Sequence, residues 1–237
     1  LKLKWWYTII MVSLLLTACG SNSNQSLSVP ANSERSDVQM EYDIAGVSYN
    51  KNNVKIKYPA ITGMKDKDRE DVLNKLIEQE AMTILDTFDG EKDTIEMDFQ
   101  IKLRDERILS IVYPGYANSE GAAHPVNLFQ TTNVDIEHGQ KLRLQDLVKV
   151  DHQLIEAFRT GVYQTHDQQL DLAQEGLLEE TLEQFGDEEL LSYFSNADSE
   201  IGGAFSYVTQ DSIGISLPVA HALGDHFEME ISREKLD

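Results

Sequence analysis

Along residues 94 to 104 the chain alternates without interruption. Ile95, Met97, Phe99, Ile101 and Leu103 are apolar, and Glu96, Asp98, Gln100, Lys102 and Arg104 are polar. Period-two alternation predicts one strand with one buried and one wet face, as in an antiparallel sheet. The polar turn Asp105-Glu106-Arg107 leads into a second strand, Ile108 to Tyr113. Upstream, Tyr42 to Tyr49 and Val54 to Pro59 read as a hairpin turned at Asn52-Asn53 and ended by Pro59. From Asp66 to Asp89 the period changes. Val72, Leu76, Ala81, Ile84 and Phe88 recur at helical spacing, Asp68 is placed to cap the start, and Gly90 stands where a helix would stop.

Downstream, Asn127 to Ile136 and Lys141 to Leu144 form another ribbon, reversed at Glu137-His138-Gly139-Gln140. Asp151 opens a helical stretch with Leu154, Ile155, Phe158 and Val162 on one face. An acidic helical region then runs to about Phe194, packing through Leu178, Leu182, Phe185, Leu190 and Leu191. Phe205 to Val208, Ile213 to Leu217, an irregular Pro218 to Asp225, and a last strand with Phe227, Met229 and Ile231 close the chain. Few helices and many antiparallel strands predict an α+β protein, its antiparallel sheets covered by helices on one face.

The stretch from Tyr113 to Pro125 reads as a wide loop between strands. Pro114 lacks a backbone donor, Gly115 and Gly121 allow unusual backbone angles, and Ala122-Ala123 leave room for another surface. Pro125 pushes His124 toward an extended conformation and so orients its imidazole. Tyr113, Tyr116 and His124 are therefore candidate ligand contacts, the alternative being tyrosines that complete the core. His221, Asp225 and His226, in and after the second irregular stretch, are candidates to join them if that loop folds back.

The first 18 residues read as a lipoprotein signal peptide. Lys2 and Lys4 precede the uncharged, mostly apolar run Trp5 to Leu16, which is short for a membrane span. Leu16-Thr17-Ala18-Cys19 has the form of a lipobox, and Cys19 is the chain's single cysteine. A diacylglyceryl group on Cys19 would give a stable anchor outside the cytoplasm, and it excludes an internal disulfide. Residues 19 to 40, rich in Ser, Asn and Gln, read as a flexible tether. The formal net charge is −21, and losing Lys2 and Lys4 with the signal makes the chain more acidic still. That argues against nucleic-acid partners and is compatible with a cationic one.

Two resemblances sharpen this. Tyr58-Pro59-Ala60-Ile61-Thr62-Gly63, the following helix, and Ile108 to Ile111 running into Tyr113 to Tyr116 resemble the domain of unknown function that precedes the catalytic domain in PdaC-type peptidoglycan deacetylases. Gly121-Ala122-Ala123-His124-Pro125, Val134-Asp135-Ile136, Gly139 to Val148 and Phe205 to Leu236 resemble the C-terminal domain of the RsiV family, anti-sigma factors that sense lysozyme by binding it outside the cell. The family loop more often carries two glycines before Ala-His, where this chain has Gly121-Ala122-Ala123. The resemblance implies a PdaC-like domain over 41–128 and an RsiV-like domain over 129–237. Four residues precede the apolar run and nothing follows residue 237, so the expectation is the extracytoplasmic binding part alone.

Common hydrolase and nucleotide signatures are absent, among them Gly-x-Ser-x-Gly, His-Glu-x-x-His and a Gly-rich phosphate loop. Asp66 to Ile77 imitates a calcium loop but has Asp71 where Gly is needed and Ile77 where a carboxylate is needed. The expectation is a non-catalytic binding or sensing lipoprotein without metal or cofactor. Its ligand would be a basic protein such as lysozyme, or peptidoglycan. The alternative is an enzyme or accessory factor acting on cell-wall glycan, with a hydrolytic or metal centre at His124, His221, Asp225 and His226.

Overall fold

The predicted hairpin forms as β1 (Asp43–Lys51) and β2 (Val54–Thr62), with Asn52 in the left-handed region at φ 52. In the computed structural model, which describes residues 41–165, 170–199 and 203–236, β2 runs past Pro59 to Thr62. Its parallel pairing with the next strand covers only Val54 to Ile56, so beyond that point this edge of β2 has no strand that needs a donor. Helix α1 (Lys67–Met82) is capped by Asp66, whose carboxylate accepts from Arg69 N at 3.0 Å; the expected cap, Asp68, lies within the first turn. Its buried face is Leu73, Ile77 and Ala81, one residue round from the expected stripe, and Val72 is 53% exposed. Two apolar diagonals lie side by side on this helix, and the sheet beneath takes the one with Leu73 and Ile77. A 3-10 turn, Thr83–Asp86, then carries Ile84 inward.

The strand expected over 94–104 is two, β3 (Thr94–Met97) and β4 (Gln100–Arg104). Both pair antiparallel with the same edge of β5 (Ile108–Asn118), Met97 opposite Gly115 and Gln100 opposite Val112. The break between them has a cause. Asp98 N donates to Pro114 O at 3.0 Å, but a residue's N–H and C=O point to the same side of an antiparallel strand, so Pro114 has no donor to return. The wide loop expected from Tyr113 is strand as far as Asn118, which leaves residues 119–125 as the connection. Then follow β6 (Val126–Asp135) and β7 (Gln140–Leu142), reversed at Gly139 with φ 65. The first sheet has the order β1-β2-β3-β5-β6-β7, with β4 beside β3 on β5. Helix α1 covers one face, burying Ile56, Ile95, Ile111 and Tyr113 against Leu73 and Ile77.

The second sheet contains β8 (Val162–Gln164), β9 (Phe205–Val208), β10 (Ser212–Pro218) and β11 (His226–Ser232), all antiparallel in the order β8-β11-β10-β9. A short helical turn, α2 (Leu144–Leu147), precedes α3 (His152–Arg159), which Asp151 caps through Gln153 N at 2.9 Å. Leu154, Ile155 and Phe158 pack against the sheet with Leu190 and Phe194; α4 (Leu178–Glu183) and α5 (Asp187–Ser195) complete this layer. Val162, expected on the α3 face, is 65% exposed, because the helix ends at Arg159 and Val162 opens β8. The α+β class holds, with a helical layer on one face of each sheet.

The faces not covered by helices meet each other. Val112 and Phe129 pack on Phe205 and Tyr207. A Cβ on Gly214 would fall inside the Tyr207 ring, so only glycine lets that ring lie flat on β10. The contact is also polar. Asp198, 2% exposed and left-handed at φ 63, accepts from Ser206 N (2.7 Å), Ser206 Oγ (2.6 Å), Thr131 Oγ1 (3.1 Å) and Leu144 N (2.9 Å). Asn133 Nδ2 donates to Ser206 O at 2.9 Å, Ser110 Oγ to Asn133 Oδ1 at 2.7 Å, and Val208 N to Ser110 Oγ at 2.8 Å. A buried carboxylate survives only when its lone pairs are met, and here they are met from β6, β9 and α2. Burial still holds the Asp198 pKa above the usual carboxylate range, against the pull of these hydrogen bonds. The boundary expected between residues 128 and 129 falls inside β6, where Leu128 packs in the first core and Phe129 against the second sheet. The described residues belong to one compact unit, Gln39–Asp237.

Candidate functional site

Alternation along β5 decides which of its aromatics a ligand can reach. Tyr113 points to the α1 side and is 0% exposed, so it does not face the site expected of it; burial drives its hydroxyl pKa well above the tyrosine range. Pro114 and Tyr116 lie on the opposite face, and Tyr116 is 37% exposed. The second sheet covers only part of this face. At the step where cover ends, a cleft of about 320 Å³ opens, lined by Pro114, Asn127, Phe129, Tyr163, His226 and Glu228 among others.

The two irregular stretches close over the rim of that step. His124, from the 119–125 connection, stacks on His221 with ring centres 5.7 Å apart and planes 22° from parallel. His221 opens a 3-10 turn, His221–Leu223, that Gly224 ends at φ 100. Its Nδ1 lies 3.0 Å from Asp225 Oδ1. Asp225, itself left-handed at φ 71, accepts Asn127 N at 2.7 Å through Oδ2, and Asn127 Nδ2 donates to Gly224 O at 3.3 Å. Asp225 is thus the latch between β6 and the second loop. His226 turns inward, its ring 4.9 Å from that of Phe129 and its Nδ1 3.2 Å from Glu228 Oε1.

Of the residues singled out in the sequence, the structure brings together His124, His221 and Asp225, turns His226 inward to Phe129 and Glu228, and sets Tyr116 opposite Asn127 in the same ladder. Cys19, the signal peptide and the tether lie outside the described residues. Among the described residues no three of His, Cys, Asp and Glu are placed to hold a metal ion. Sequence reading missed Glu228, 0% exposed. It sits on the polar side of the alternation of Phe227, Met229 and Ile231, a side that reads as solvent until the first sheet is seen to cover it. The pattern His226-x-Glu228-x-Glu230 on one strand face was the available signal.

Residues 48–127, from within β1 into β6, match a family described as Deacetylase PdaC; more than half of the chain lies outside that match. No curated protein matches the chain. Among solved structures it is similar to a DUF3298-family member from Bacteroides fragilis, with 15% identity and a TM-score of 0.51 over 81% of this chain and 91% of that one. The fold is shared. A DUF3298-family protein from Pseudomonas aeruginosa aligns at 13% identity and a TM-score of 0.47, over 82% of this chain and 92% of that one.

Proposed function

We propose that this chain is a lipid-anchored binding or sensing lipoprotein, held outside the cytoplasm through Cys19, that captures a cationic protein of the lysozyme type without chemical turnover. The observation that carries the reading is the meeting of two loops distant in sequence, His124 on His221, locked by the Asp225 latch over a cleft. Loops set on a rigid scaffold are where recognition residues concentrate. The net charge of −21 favours encounter with a basic partner and makes the on-rate salt-dependent. The resemblance of the second half to lysozyme-sensing proteins points the same way.

The test is calorimetric titration of the full chain in detergent micelles with a basic lysozyme at low and moderate salt. Saturable binding that persists at moderate salt and weakens about tenfold in His124→Ala is expected. Binding that vanishes at moderate salt and ignores the substitution is charge attraction alone and overturns the reading, as does no binding. The deacetylase description of the family matched by residues 48–127 favours a second reading, action on wall glycan with these histidines as ligands. Stoichiometric zinc in the purified protein would select it.

A further inference from the structure

The uncovered part of the first sheet carries a surface that the loop reading does not use. Lys55 and Lys57 of β2, Glu96 and Asp98 at β3, and Pro114 and Tyr116 of β5 share the face opposite α1. All but Tyr116, which stands beside Glu96, border a dent of about 270 Å³. Pro114 and Gly115 line both this dent and the 320 Å³ cleft, so the two adjoin at β5 in a row that runs from β1 to the second sheet. Beneath it β3 and β5 lie close together, since a Cβ on Gly115 would fall on the Glu96 carbonyl oxygen and 2.9 Å from Met97 Cα.

The floor is polar yet internally neutral. Lys55 Nζ lies 2.9 Å from Glu96 Oε1, and Lys57 Nζ 2.6 Å from Asp98 Oδ2. The Lys55 ammonium, helped less strongly by the Tyr116 hydroxyl, holds the Glu96 carboxyl below its usual range. A charged ligand would have to displace a partner from each pair. A neutral polyol would not, since its hydroxyls can donate to the carboxylates while its oxygens accept from the ammonium groups. Tyr163 in the cleft, and Tyr116 on the same sheet face beside Glu96, add flat apolar faces with polar tips. We propose that this groove binds a linear, uncharged oligosaccharide. The site meets the loop rim at the cleft but does not depend on capture of a protein there.

The experiment titrates the full chain in detergent micelles with soluble chitin and cellulose oligosaccharides, and with the deacetylated, cationic chitosan series as control. At least one neutral series is expected to bind saturably, with affinity nearly independent of salt because no counterions are exchanged. Tyr116→Ala and Glu96→Gln should each weaken it about five- to tenfold, and His124→Ala should leave it unchanged. Circular dichroism confirms that both groove variants fold. Failure of both neutral series, retention of affinity in both groove variants, or binding of the cationic series alone with loss in salt would each overturn the proposal. Loss in His124→Ala, with the groove variants unaffected, would move the sugar site to the loops.

Discussion

Two aspartates of the second half reach back to β6 in the same way and to different ends. Asp198 and Asp225 both adopt left-handed backbone angles, φ 63 and φ 71, which ordinary side chains avoid. Asp198 accepts from Thr131 in the sealed interior, and Asp225 accepts from Asn127 N at the rim of a cleft. Both have partners on both oxygens, but Asp198 is 2% exposed among buried donors, whereas the Asp225 side chain is 10% exposed and its partner His221 is 52% exposed. The buried carboxylate joins the sheets, whereas the rim carboxylate positions loops. Similar local geometry thus serves stability in one place and recognition in the other, and burial decides which.

The comparison can be broken at its strongest point first. Asp198→Ala leaves several buried donors without an acceptor and should cost about 3 kcal/mol or more, read as a lowered urea midpoint. Asp225→Ala removes its bonds to Asn127 N and His221 at the rim and should cost less, about 1–2 kcal/mol, while weakening lysozyme binding about as much as His124→Ala. If the two aspartates cost the same, burial is not the distinction. Asp66→Ala sets the scale for an exposed carboxylate with a purely local role. Loss of this α1 cap should cost about 1 kcal/mol in thermal unfolding, with Asp68→Ala nearly silent.

The smallest effect concerns pH. Burial raises the Asp198 pKa above its unfolded value. Its titration therefore contributes stability that is fully present below the unfolded value of about 4 and is lost as pH rises through the folded value. Urea midpoints measured across the acid range should show the stability difference between wild type and Asp198→Asn shifting in wild type's disfavour as pH climbs.

Much of the fold was legible because its signals are local. The strand pairing of Ile108 to Tyr113, the Gly139 reversal and the apolar row Phe227, Met229 and Ile231 all stand where alternation and turn chemistry put them. Errors arose where a distant partner decides. Nothing near Phe99 announces that its strand breaks, because the cause, Pro114, lies on the neighbouring strand. Val72 and Leu73 fit a helical stripe equally well, and only the sheet beneath selects Leu73. The polar residues Ser110, Thr131, Asn133, Ser206 and Asp198 read as surface, since the hydrogen bonds that permit their burial run between elements far apart in sequence. At the site, His124, His221 and Asp225 were legible as residue types at loop positions, and His226 at the start of the last strand. Glu228 was not, because its burial is a property of how the sheets meet.

Pro114 and Gly115 also guard against misassembly. Sliding β5 by one residue along its neighbours would turn the row Leu109, Ile111 and Tyr113 away from α1, a loss any half-buried strand would suffer. Here the slide meets two further obstacles. A side chain would be driven into the Glu96 carbonyl, where only Gly115 fits, and the missing donor of Pro114 would fall opposite a residue other than Asp98. Wrong pairings of the central strand therefore cannot extend, and a chain that begins to zip out of register must reopen and try again.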